Sequence, residues 1–389
     1  MADHSADLAW AGRHRHCRDA QTRGHGRSQT SSHMSGNAEA DIAASFRRLI
    51  RETGPISLSQ YMGESNARYY SSRDPLGDTG DFITAPEISQ MFGELIGLWL
   101  VDQWMQMGAP ARVHYVELGP GRGTLAKDIL RAAQRFELKP QVHMVEGSPA
   151  MRALQRGAIP AAIHHEDMSD LPEDAPLLIV ANEFFDALPI RQLVRMEHGW
   201  RERMVGLENE QLAFIAGDKP MDSVIPPGLL NAGEGTVLET SPASAALMGE
   251  VAARLAQQGG AALVIDYGSL EARTGSTLQA VRAHEKVDAL ADPGNADLTA
   301  HVDFAMLKTT TEKAGANVIG TACQGNWLKQ LGIDSRLEAL KKMAPDRAEI
   351  LQRQRDRLVA ENAMGELFKV LAVSGRGGPR SGLGFGPAS

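Results

Sequence analysis

Cysteine is almost absent: Cys17 and Cys323 are the only two in 389 residues. That excludes a disulfide framework and a cysteine-rich zinc site, and it fits a reducing compartment. Long apolar runs are missing too. The best stretch, residues 92–104, is interrupted by Glu94 and Asp102 and falls short of the roughly 18 residues a membrane helix needs, so no membrane insertion is expected. Nor is there a dense Lys/Arg stripe. Lys and Arg number 40 against 48 Asp and Glu, a net charge of -8, which argues against a protein that grips nucleic acid by neutralising phosphates. Hydrophobic residues make up 43%, enough for a packed core, and the length allows one large domain with insertions, or two.

The two ends differ from the middle. Residues 1–33 carry His4, His14, His16, His25 and His33 among scattered Arg and Ser, with no apolar core to make a secretory signal. Asp3, Asp7 and Asp19 do not suit a mitochondrial presequence. His14, His16 and Cys17 offer metal-ligand chemistry, but a disordered extension is the expectation, with no metal site and with Met34 as the working start. Residues 34–110 read as a helical N-terminal and lid region that includes the amphipathic run 42–50. At the other end, 375–389 is rich in Gly, Pro and Ser and reads as a flexible tail.

From residue 111 to 374 short apolar runs alternate with helical patterns, the sign of βαβ units and a parallel sheet. Strands are expected at 113–118, 141–146, 162–165, 177–181, 260–266, 318–322 and 367–373. Residues 177–181 are apolar throughout and should be central. Helices are expected at 124–136, 149–156 and 244–257, with a helical segment over 335–362. Insertions fall at 190–240 and 325–365. The first contains two alternating runs around His198-Gly199, an antiparallel hairpin over 191–215. No internal repeat is visible.

Chemistry concentrates at strand ends. The turn Glu117-Leu118-Gly119-Pro120-Gly121-Arg122-Gly123-Thr124 lets backbone approach a ligand closely and leaves amide N–H groups free to face it. Thr124 stands where a dinucleotide fingerprint needs its third glycine, which discounts a nicotinamide-dependent oxidoreductase. The acid-x-Gly-x-Gly-x-Gly arrangement instead resembles the first motif of S-adenosylmethionine-dependent methyltransferases; an ordinary tight strand–helix turn is the alternative. Glu146, ending the next strand, can accept hydrogen bonds from both ribose hydroxyls. Asp167 and Met168 follow the third strand, where such enzymes hold the adenine. Asn182 and Glu183 end the fourth strand, where an amide and an acid can orient a nitrogen nucleophile and take up its proton. Asp186 assists there or caps a helix, and of Phe184 and Phe185 at least one belongs to the core. Upstream, the loop with Asp81, Thr84 and Glu87 suggests a lid, Glu87 favouring a helix start near Ile88. Asp266, Tyr267 and His301 are candidate neighbours of the pocket.

Several long segments together resemble one family: GDFITAPEISQMFGE, VELGPGRGTLAKDIL, NEFFDALPIRQ, ALVIDYG, PGNADLTAHVDF and MGELFKV. They are similar to the mitochondrial dysfunction protein A family, over residues 42–373. The resemblance implies an α/β class I methyltransferase (Rossmann-like) fold: a seven-stranded sheet with a helical N-terminal region and an inserted β-hairpin. It implies S-adenosyl-L-methionine as cofactor, a protein substrate, and protein arginine N-methylation. The family's mitochondrial member symmetrically methylates an arginine of the 49-kilodalton subunit of respiratory complex I and aids its assembly. Carried over, Glu117, Gly119, Pro120, Gly121 and Gly123 match the cofactor motif and Asn182/Glu183 the fourth-strand motif. The setting is expected to be the bacterial cytoplasm, or the mitochondrial matrix in a eukaryote. Another protein or small-molecule acceptor, a cofactor-binding assembly factor without turnover, and a homo-oligomer all stay open.

Overall fold

A computed structural model describes residues 42–72 and 84–386. The expected extension at 1–33, the start at Met34 and Asp81 lie outside the described residues. Seven strands form the core sheet: β1 His114–Leu118, β2 Gln141–Val145, β3 Ile163–His165, β4 Leu177–Asn182, β5 Gly260–Ser269, β6 Asn317–Cys323 and β7 Phe368–Ser374. They run in the order β3-β2-β1-β4-β5-β7-β6. All pairs among β1 to β5 are parallel, whereas β7 lies antiparallel between β5 and β6. A two-residue strand, Val302–Asp303, adds to the end of β5.

The burial follows the order. Every residue of β1 and β4 is buried, as strands covered on both faces require, and the apolar run at 177–181 is indeed central. One face packs against α4 Gln90–Gln106 and the helices α9 Gln324–Gln330, α10 Ile333–Met343 and α11 Ala348–Val359; the other packs against α7 Pro242–Gln258 and α8 Phe304–Lys313. Helix α4 is apolar nearly all round and sits pressed on α5 Thr124–Ala133. A Cβ on its Gly97 would stand 2.8 Å from the Ile129 carbonyl. Glu94, which breaks the apolar run, is buried against the guanidinium groups of Arg131 and Arg336.

Three expectations change in detail. The segment 335–362 is two helices, α10 and α11, because Pro345 cannot continue the first and opens a 3-10 turn between them. The expected hairpin is part of a five-stranded antiparallel sheet. Strands Arg191–Met196, Gly199–Glu208 and Gln211–Pro220 are joined by Val237–Thr240 and by Ile56–Ser57 from the N-terminal region. The described part of the tail is docked rather than free: the Phe385 ring lies 6.1 Å from that of Trp327, and the Ser374 hydroxyl donates to the Pro379 carbonyl at 2.6 Å.

Helices α1 Ile42–Thr53 and α2 Leu58–Ser72 pack on the inserted sheet. The chain leaves β1 toward β2 and β3, then crosses back to β4 on β1's other side. That reversal opens a crevice at the carboxyl ends of β1 and β4, the place where open α/β sheets take ligands.

Candidate active site

A cavity of about 610 Å³ fills that crevice, within the range of small-molecule and cofactor sites. Its floor is the glycine turn. Gly119, Gly121 and Gly123 have φ of 61°, 52° and 81°, the left-handed region that glycine enters without steric cost. A Cβ on Gly119 would also stand 2.4 Å from the Phe184 ring, so the bare glycine lets the β1 and β4 turns touch. Glu117 ends β1 fully buried, takes the Tyr115 hydroxyl at 2.7 Å, and is pushed by burial up to about 8. Next to it, Glu146 accepts the Ser148 amide at 2.8 Å and the Gln155 side chain at 3.2 Å, and Gln155 also donates to the Gly121 carbonyl at 2.7 Å. One glutamine thus fixes the acid relative to the turn. Burial raises Glu146 above the usual carboxylate range.

The opposite wall is the turn after β4. Glu183 has φ 51°, an uncommon backbone state for a residue with a Cβ and one that collects at functional sites. Its amide donates to the Ile265 carbonyl at 2.9 Å. Its Oε1 accepts the Ala85 amide at 3.0 Å and the Asn182 side chain at 3.2 Å. Burial and the neighbouring Asp186 hold Glu183 at about 7, against some relief from Arg357. Asp186, likewise buried and pushed up to about 6, bonds the Tyr267 hydroxyl. Phe184 lines the cavity, while Phe185 is buried in the core. Asp186 lines the cavity as well and caps no described helix.

The roof comes from the N-terminal region. Thr84, Pro86 and Glu87 line the cavity around the short helix α3 Ala85–Ile88. Glu87 does more than favour a helix start: it accepts the Thr124 hydroxyl at 2.7 Å, tying the covering segment to the glycine turn. Asn66 and Tyr70 of α2 complete the roof. Asn66 donates to the Ala187 and Leu298 carbonyls and accepts the Leu298 amide, and the Tyr70 hydroxyl donates to Asp297 at 2.8 Å. No motif pointed to Asn66, Tyr70 or Gln155, which sit inside ordinary helical stretches.

Of the residues singled out from sequence, Glu117, Gly119, Pro120, Gly121, Glu146, Thr84, Asn182, Glu183 and Asp186 all line this one cavity, and Gly123 caps the helix behind it. Asp167 and Met168 do not line it. Asp167 caps the 3-10 turn Met168–Asp170 through the Ser169 amide, and Met168 is buried in the core. His301 faces a separate cavity of about 40 Å³, with Arg273 3.1 Å from its Nδ1. Tyr267 lines the main cavity, whereas Asp266 lies fully buried beneath the 184–186 turn.

The chemistry fits a nucleoside cofactor with a charged amino-acid end. The glycine turn offers close backbone approach, Glu146 offers acceptors for hydroxyls, and the buried Asn182 Oδ1 on the cavity wall has no protein donor.

Comparison with known proteins agrees. The sequence model of an S-adenosyl-L-methionine-dependent methyltransferase family matches residues 95–322. The chain is 35% identical to the mitochondrial protein arginine methyltransferase NDUFAF7 of Xenopus tropicalis, over 89% of this chain and 88% of that one. The human protein of that name is also 35% identical, over 87% and 86%. Among solved structures, a Burkholderia thailandensis protein bound to S-adenosyl-homocysteine superposes with a TM-score of 0.76 at 30% identity, covering 88% of this chain and 93% of that one. The chain therefore belongs to this S-adenosyl-L-methionine-dependent methyltransferase family, with S-adenosyl-L-methionine as its cofactor.

Proposed function

We propose that this enzyme is a protein arginine N-methyltransferase whose acceptor is a subunit of NADH:quinone oxidoreductase of the 49-kilodalton type, and that the modification aids assembly of that complex. The observation that carries the reading is the pair Glu183 and Asp186: two carboxyl groups on one turn, the first half-buried and the second buried, facing the same cavity as the glycine turn. A guanidinium matches such a pair in charge and in its fork of N–H donors. The curated relatives named as protein arginine methyltransferases support the same choice, and their names place them in mitochondria. Among the described residues no helix is long and apolar enough to cross a membrane.

In this reading Glu117, Gly119, Pro120, Gly121 and Glu146 hold the cofactor, Gly123 turns the chain into the helix behind it, and Thr84 lies over it. When bound, S-adenosyl-L-methionine supplies a methyl group made electrophilic by its sulfonium. Glu183 orients the acceptor nitrogen and neutralises the cation, Asn182 steadies Glu183, and Asp186 takes a second N–H. A nitrogen that gains a carbon substituent must shed a proton, and a carboxylate titrating near neutrality is a suitable base. The covering segment keeps water from the reacting atoms.

The test is transfer of label from tritiated S-adenosyl-L-methionine to purified complex I subunits, followed by mapping of the labelled residue. Labelled arginine that disappears in Glu183→Gln, with S-adenosyl-homocysteine binding kept, supports the assignment. Label on another residue type, or on a small molecule, refutes it. Assembly that survives in Glu183→Gln would separate the assembly role from turnover.

A further inference from the structure

One buried acid stands outside the cavity yet bonds the turn that forms one of its walls. Asp266, fully buried near the end of β5, turns Oδ2 toward three consecutive amides: Phe184 at 3.0 Å, Phe185 at 2.9 Å and Asp186 at 3.3 Å. Its Oδ1 accepts the amide of Tyr267 at 3.0 Å. No described helix starts at 184–186, so these N–H groups have no place in a helical ladder. Buried amides left unpaired cost a few kcal/mol each, and here one carboxyl group answers all three. The turn they belong to begins with Glu183 in its left-handed conformation, held on its other side by the Ile265 carbonyl. Residues 265 and 266 of β5 thereby clamp 183–186 from below.

We infer that Asp266 is the positioning residue of the acceptor site: its side chain holds residues 183–186 in the conformation that turns the Glu183 and Asp186 carboxyl groups into the cavity. The inference rests on the reading of Glu183 and Asp186 as acceptor-binding groups. Without four amide donors in place, an acid at position 266 would be the least favourable residue for so dry a spot, and a core apolar side chain would serve the strand better.

The position has an electrostatic side. Asp266, Glu183 and Asp186 repel one another across a water-poor gap, and the two latter line the cavity. The groups facing them are the Tyr267 hydroxyl from β5, the Ala85 amide from α3, the Asn182 amide group from β4, Tyr70 from α2 and the Arg357 guanidinium from α11. Arg357 is the one cation named among them. Glu183 and Asp186 raise the pH at which Asp266 ionises, as does its burial, so the group that holds the turn is the most reluctant of the three to carry charge.

The test uses the full-length protein with S-adenosyl-homocysteine and needs no acceptor, so its outcome is independent of whether arginine is the target. In Asp266→Ala the amides of 184–186 should exchange with deuterium at least tenfold faster than in wild type, while those of 119–123 stay protected and S-adenosyl-homocysteine affinity changes less than about threefold. Asp266→Asn keeps one oxygen for the three amides and should restore most of the protection. Unchanged exchange at 184–186 in the Ala variant overturns the inference. Should the Ala variant fail to fold, Asp266→Ser decides: its hydroxyl is too short to reach three amides, so exchange there should also quicken at least tenfold, and unchanged exchange overturns the inference.

Discussion

Glu183 brings two unfavourable conditions together, a left-handed backbone and a half-buried acid, and each has a measurable consequence. The first concerns acidity. Burial and Asp186 lift its carboxyl group to about 7, so below that pH it is a neutral acid that cannot balance a cation or accept a proton. The methyl-transfer rate should rise with pH through about 7 and then level off, and a pH–rate profile of kcat/KM would read this limb. In Glu183→Gln the limb should vanish and the rate fall by about a hundredfold or more, the scale on which a missing charge-stabilising group acts. The second concerns the backbone. Glycine normally destabilises a folded position relative to alanine, but at φ 51° alanine keeps the clash and glycine relieves it. Glu183→Gly should therefore be more stable than Glu183→Ala, by about 1 kcal/mol, as compared in urea unfolding of the two variants.

At the scale of elements, β1, β2 and β3 carry a line of three imidazoles. His114 Nε2 meets Asp174 at 2.9 Å, His114 Nδ1 meets His143 Nε2 at 3.0 Å, and His143 Nδ1 meets His165 Nε2 at 2.9 Å. With Asp174 ionised, all three rings pair as neutral Nε2–H tautomers that donate toward it. A proton added to His143 would break that alternation, and burial with the flanking rings lowers it to about 4. The unfolded chain protonates this histidine near 6.5, so it binds more protons than the fold between about 4 and 6.5. Stability is therefore lost as pH falls through that window, by up to ~1.4 kcal/mol per unit. Buried carboxyl groups such as Glu117 act in the opposite sense. The comparison that isolates the histidine is thus wild type against His143→Gln, whose stability difference should grow more favourable to wild type from pH 4.5 to 6.5. The tail is a second element with a definite role. Removing residues 380–389 takes away Phe385 and uncovers the otherwise buried Trp327. That should lower stability by about 2 kcal/mol and red-shift tryptophan emission, with S-adenosyl-homocysteine affinity unaltered.

Over the whole molecule, cofactor binding and folding are one linked equilibrium. S-adenosyl-homocysteine at a hundred times its Kd should add about 2.7 kcal/mol to unfolding. Gly119→Val should abolish that gain, because a side chain there meets Phe184 and a disfavoured φ at once; calorimetry with and without ligand checks both. Much of this architecture was readable in the chain. β1, β2, β4 and β5 announce themselves as mainly apolar runs ending in Gly or acid, and the glycine turn is a local motif whose geometry is dictated within five residues. What escaped depends on distant partners. Asn66 and Tyr70 reach the cavity only because α2 packs over residues 297–299, more than 220 positions away. Asp266 looks like any strand-end acid until the 184–186 amides arrive over it. The break at Pro345 was legible and was overridden by the helical pattern around it. Asp167 shows the converse: a well-placed acid whose bonds are spent on its own turn.

The covering segment touches the two halves of the site at once. Ala85 donates to Glu183, and Glu87 receives Thr124 from the glycine turn. One short stretch is thus pinned to both walls of the crevice, and a substitution anywhere in 84–87 should be felt on the two sides together.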